Sequence, residues 1–177
     1  DEEADSGDIG LQTAVVLNTP LVDDQLAFRL SVDKRENRGT QDAQTIRAGL
    51  LYEPMNSLSF GVTYSDIDNG VNNPQKAQSP RLTVDYQIND ALTFTSRTQY
   101  TEAETMFDQF IFGRARDYET IDQEFRLIYE TDRLRAIGGL FYTNIDEVSL
   151  LYSTPRTPPP FTGDQTEDIA TENYAIY

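Results

Sequence analysis

Three stretches of this chain lead apolar residues into a tyrosine just before a short polar turn: Leu50-Leu51-Tyr52 before EPMNS, Val84-Asp85-Tyr86 before QIND, and Leu127-Ile128-Tyr129 before ETDR. After each turn an alternating segment leaves again and arrives at a second tyrosine, Tyr64, Tyr100 or Tyr142. The expected separation of the two aromatic levels is about six to eight residues, which at ~3.3 Å per residue of strand is about 20 to 26 Å. That height matches the apolar band of about 25 Å, edged by aromatic girdles, of a β-barrel that crosses a membrane. A soluble β protein has no physical reason to hold tyrosine at two fixed levels.

The same alternation recurs along the chain, while helical periodicity is weak throughout. It predicts strands over 9–17, 26–34, 43–52, 58–66, 80–88, 92–105, 118–130, 134–147 and 172–177. One face of each strand is apolar, as in Leu26, Phe28, Leu30 and Val32, or Leu82, Val84, Tyr86 and Ile88. The opposite face is polar, as in Ala27, Arg29, Ser31 and Asp33, or Arg81, Thr83, Asp85 and Gln87. Connections at 18–25, 53–57, 89–91 and 131–133 are short, whereas those at 35–42, 67–79, 106–117 and 148–171 are mostly longer. Short turns on one rim and long loops on the other are the habit of bacterial barrels. The expected fold class is therefore all-β: an antiparallel up-and-down meander, part of a transmembrane outer-membrane β-barrel. A length of 177 residues accommodates eight to nine such strands, and no linker or shift of composition divides them.

Composition narrows the chemistry. No run approaches the roughly 18 apolar residues of a membrane helix, so contact with lipid has to come through strands. The net charge of −16, from 30 acidic and 14 basic residues, excludes a nucleic-acid partner, because phosphate binding needs basic surface. Cysteine and histidine are absent, which removes Cys/His zinc sites, Ser-His-Asp and Cys-His nucleophiles, and any histidine base. No carboxylate stands in a recognised catalytic motif, so the expectation is a protein without enzymatic activity or cofactor. Beginning at Asp1 with DEEADSGD, the chain reads as a mature product or an excised segment.

Alternation alone also fits a soluble β-sandwich or adhesin-like module, in which the long loops would bind, and it fits a passive porin. Two features favour the membrane wall over the soluble module: charges of both signs deep within the strands' polar faces, and the two-level tyrosines. A small soluble barrel fills its interior with apolar side chains, so a charged interior requires a wide, wet or plugged lumen.

Several segments, taken in order, resemble the barrel wall of TonB-dependent outer-membrane receptors. NTPLVDDQLAFRLSVDKRENRG at 18–39 resembles one of their wall hairpins, with a short turn and paired acids leading into an A-F-R-L strand. IRAGLLYEPMNSLSFGVTYSDID at 46–68 is similar to the next, with a Y-E-P turn, and QEFRLIYETDRLRAIGGLFYTNIDE at 123–147 to a later one. ENYAIY at 172–177 looks like the start of the strand that follows. The resemblance implies a barrel of about 22 strands, filled by an N-terminal plug domain and embedded in the outer membrane of a Gram-negative bacterium. It also implies uptake of a ferric siderophore or similar bulky nutrient, powered by the TonB complex. Plug and TonB box are not recognisable within 1–177, so the whole chain reads as an internal section of the wall.

Four sets of residues stand out. In the expected loop 106–117, Phe107, Phe110 and Phe112 lie beside Arg114 and Arg116, a combination that suits an aromatic, anionic ligand or, more commonly, the packing of loop phenylalanines onto neighbouring loops. Arg29, Arg47, Arg81, Asp85, Arg97, Glu124 and Arg126 are expected to face the lumen, together with Asp122, Glu130 and Arg135. They can line a translocation path, grip a plug, or form a ladder of cross-strand ion pairs, which is the local cause preferred. Asp66 and Asp68, with Asn69, Asn72 and Asn73 near Gly70, form a weak calcium candidate against the commoner Asn/Gly turn. Pro158 to Pro160 read as a stiff surface loop or a polyproline element.

Overall fold

The computed structural model describes residues 11–36, 42–69, 75–108, 112–153 and 164–177. The strands are β1 (Leu11–Val22), β2 (Leu26–Glu36), β3 (Ala43–Met55), β4 (Leu58–Asn69) and β5 (Gln75–Asn89), then β6 (Leu92–Asp108), β7 (Phe112–Glu130), β8 (Arg135–Ser153) and β9 (Gln165–Ile176). They form one sheet in sequence order, each antiparallel to the next. A sandwich would need a second sheet, and all the described strands belong to this one.

The short rim is set by local chemistry. At Asp23-Asp24-Gln25 the chain reverses with Asp24 at a φ of +56°, a conformation that Asp tolerates better than bulkier residues. The Gln25 amide closes the turn on the Val22 carbonyl at 3.2 Å. Asn89 accepts a hydrogen bond from the Ala91 amide on its side-chain oxygen at 2.9 Å, which turns β5 into β6. Thr131 and Leu134 exchange backbone and hydroxyl contacts across the β7–β8 turn.

The strands run longer than their alternation suggested. β1 continues through Pro20 to Val22, with a register shift between these two residues, and β9 starts at Gln165 rather than 172. The larger correction is at 106–117. It is not a loop: β6 reaches Asp108 and β7 starts at Phe112, so the connection is three residues. β8 likewise carries on to Ser153. On β6 and β7 polar residues stand on both faces of the extension, and on β8 the adjacent Leu150 and Leu151 break the alternation, so no clean apolar period marks them.

Register fixes the two faces. Phe28 pairs with Leu50, Leu50 with Val62 and Val62 with Leu82. One row nearer the short rim, Phe60 pairs with Val84, Ser96 with Phe125 and Phe125 with Leu140. These side chains stay largely uncovered: Val62 is 50% exposed and Leu140 53%. Among the described residues the only buried apolar side chain is Ala103, at 3%. At about 25 cal/mol per Å² of apolar surface, this outer face has not been removed from water by the chain's own folding, and an apolar medium has to cover it.

The tyrosines form a slanting rather than level band. Tyr129 pairs with Leu92, eight residues from Tyr100 along β6, whereas Tyr52 pairs with Phe60, only four residues from Tyr64 along β4. Strand stagger accounts for the tilt, as closing a barrel requires. Beyond Tyr64 and Tyr100 the outer face turns acidic, with Asp66, Glu102, Glu119 and Asp146 aligned across β4, β6, β7 and β8. β7 and β8 have 19 residues each, where about 9 to 11 cross a bilayer, so their upper halves stand in water. Within the apolar face, Gln123 forms a small polar group with Ser96 and Thr98. It accepts from Thr98 Oγ1 at 2.5 Å and donates to the Arg97 carbonyl at 3.0 Å, which satisfies its amide without solvent.

Candidate functional site

The polar face carries three groupings, arranged from the long rim to the short one. At the long rim, parity puts Phe107, Arg114 and Arg116 inward, because Phe107 pairs with Arg114 and Thr105 with Arg116. With Met106, Tyr118, Glu147 and Leu151 they line a cleft of about 890 Å³. That size suits a small molecule. Arg114 donates from Nε to Ser149 Oγ at 2.7 Å. Glu147 Oε1 lies 3.4 Å from Arg116 Nε and 3.8 Å from Arg114 Nη2, with no hydrogen-bond partner of its own among the described residues. One carboxylate therefore offsets one of two guanidinium charges, and the cleft keeps a net positive charge. Phe107, 48% exposed, supplies an apolar surface beside it.

Halfway down, the register row Arg29–Gly49–Thr63–Arg81–Gln99 crosses β2 to β6, with Arg47 two residues above Gly49 on β3. A cleft of about 530 Å³ opens here. Arg81 donates to Gln99 Oε1 from Nε at 2.8 Å and from Nη2 at 2.5 Å.

Near the short rim the charges are compensated. Glu124 Oε1 accepts from Arg126 Nε at 2.6 Å and from the Tyr177 hydroxyl at 2.7 Å, and Arg126 Nε also approaches that hydroxyl at 3.0 Å. Arg97 is the cross-strand neighbour of Glu124. Asp85 accepts from Thr95 Oγ1 at 2.7 Å. Tyr177 reaches Glu124 because Gly139 has no side chain: a Cβ there would stand 2.6 Å from the tyrosine ring and 2.7 Å from the Phe125 carbonyl.

No family model matches the sequence. Among solved structures, the chain is similar to the alcaligin outer-membrane receptor FauA from Bordetella pertussis, with a TM-score of 0.74 over 96% of this chain. The fold is a section of outer-membrane barrel wall. Identity is 13%, so the likeness is one of fold, and this wall section spans about 30% of that receptor's length.

The structure places the expected site residues as follows. Arg29, Arg47, Arg81, Asp85, Arg97, Glu124 and Arg126 share the polar face of the wall. The expected ion-pair ladder is mostly missing: among these residues and described partners, only Arg126 and Glu124 form an ion pair, and they lie on one strand. Arg135 pairs with Glu130 beside the turn, 3.5 Å apart. Asp66 and Asp68 belong to β4 on the outer face, where Asp66 accepts from Tyr64 at 3.3 Å and Gln78 at 3.5 Å. Among the described residues no cluster of three or more potential ligands is placed to hold a metal. Phe110, Asn72, Asn73 and the prolines 158–160 lie outside the described residues, as does the Phe112 side chain. Sequence reasoning missed Glu147 and Ser149, which reach the arginines only through the β7–β8 register.

Proposed function

We propose that this wall section belongs to a TonB-dependent outer-membrane receptor that takes up a ferric siderophore or a similar bulky anionic nutrient. The observation carrying this reading is the long-rim cleft, which joins two guanidinium groups and an exposed phenylalanine on the wet face of a wall whose other face is apolar. Arginine forks grip carboxylate, catecholate or hydroxamate oxygens, and Phe107 covers the organic shell. Their position matters because the chain's overall charge of −16 disfavours an anion, so binding needs arginines that nearby carboxylates leave uncompensated. The wall binds and passes its ligand without making or breaking covalent bonds. The plug and the coupling to TonB are supplied by parts outside residues 1–177.

The test is uptake by intact cells of a radiolabelled ferric chelate, with and without a protonophore that collapses the inner-membrane gradient. Saturable uptake that stops with the protonophore and weakens with Arg114→Ala and Arg116→Ala is expected. Uptake that ignores the protonophore would identify a passive porin instead.

A further inference from the structure

We propose that the inner wall carries a second anion-binding station, centred on Gly49 and ringed by Arg29, Arg47 and Arg81, which receives a small solute bearing two or more carboxylates. It rests on the transport reading, with water reaching the space between this wall and the plug. Register supplies the geometry. Arg29 and Arg81 stand at the two ends of the row Arg29–Gly49–Thr63–Arg81, on strands three steps apart, or about 14 Å of sheet at ~4.8 Å per step. The missing side chain of Gly49 leaves the floor between them open, and Ser31, Ser65 and Ser79 line the same cleft with hydroxyls.

Charge makes the site specific. In a chain of −16, the side chains of Arg29 and Arg47 have no ion pair or hydrogen bond with any described residue, and that of Arg81 bonds only a neutral amide. The inward carboxylates of the same strands are engaged elsewhere, Asp33 by Gln12 at 3.1 Å and Asp85 by Thr95. A guanidinium fork is shaped for a carboxylate, and several forks around one cleft favour a polycarboxylate over a monovalent anion. The station is separate from the mouth. What separates them is the arginines: Thr101, joined to Ser79 at 3.0 Å, pairs with Thr120 at the lower edge of the mouth cleft, four and six residues along β7 from Arg116 and Arg114, or roughly 13 and 20 Å.

The test titrates citrate calorimetrically into the full-length protein carrying this wall, purified in detergent, with Arg114→Ala and Arg116→Ala present to silence the mouth. Binding that persists in that background, weakens as salt rises, and falls about tenfold or more with Gly49→Leu is expected. Gly49→Leu keeps every charge and only fills the floor; its Cβ would meet Thr63 Cγ2 at an ordinary 3.5 Å. Heat-modifiable gel mobility checks that each variant folds, and Arg47→Ala carries the same test if Gly49→Leu does not. Absence of citrate binding in the mouth-silenced protein, or binding indifferent to both variants, overturns the station. Uptake insensitive to a protonophore together with intact citrate binding would overturn the transport reading and leave the station standing.

Discussion

At the scale of single residues, the wall separates compensated charge from exposed charge. Glu147 holds the two mouth arginines at 3.4 and 3.8 Å, close enough to offset them and too far for a hydrogen bond. Removing its charge while keeping its shape, as in Glu147→Gln, is expected to strengthen binding of an anionic chelate. Arg114→Ala with Arg116→Ala should weaken it about tenfold, equivalent to about 1.4 kcal/mol. Both are read as dissociation constants by fluorescence quenching in detergent; a chelate affinity that moves in the same direction in both variants would refute this balance. Gly139 makes a steric prediction. Gly139→Val should displace the Tyr177 ring from Glu124 and cost about 1 to 3 kcal/mol, seen as a lower urea midpoint for the protein folded into lipid vesicles. These contacts were not legible in the sequence, because Glu147 and Tyr177 lie 31 and 51 residues beyond Arg116 and Arg126, and pair spacing of that length carries no periodic signal.

At the scale of strands, the two faces of one element differ in what they tolerate. Val62 lies on the apolar face of β4 between Leu50 and Leu82, and its neighbour Thr63 lies on the polar face between Gly49 and Arg81. Val62→Arg is expected to cost about 2 to 4 kcal/mol if that row lies near the bilayer midplane, and Thr63→Arg much less. Refolding of each variant into vesicles, followed by tyrosine fluorescence against urea, measures the difference. Equal costs would mean that the apolar face does not meet lipid. Face assignment was readable from sequence because strand side chains alternate, so a single residue's parity fixes its whole strand. Strand ends were not: Arg114, Arg116, Tyr118 and Thr120 continue the inward parity of Glu124, but Ala115, Asp117 and Glu119 opposite them give no apolar contrast.

At the scale of the whole molecule, the described residues form nine strands in one open sheet with β1 and β9 at its edges and almost nothing apolar buried among them. Such a sheet exposes backbone donors and acceptors along two edges and an apolar band between them. The isolated 177-residue chain is therefore expected to aggregate when expressed without detergent. A monodisperse detergent-free sample with a cooperative thermal transition would contradict the barrel-wall reading. Sequence by itself determined the meander, the two faces and the turns of the short rim, because each depends on local periods and turn residues such as Asp24 and Asn89. Only the tertiary structure decided how far β6 to β8 extend, that Glu147 meets the mouth arginines, and that Arg29, Arg47 and Arg81 line one cleft with Gly49. Those facts depend on register between strands, and register is set by summed pairing along whole strands that no local pattern specifies.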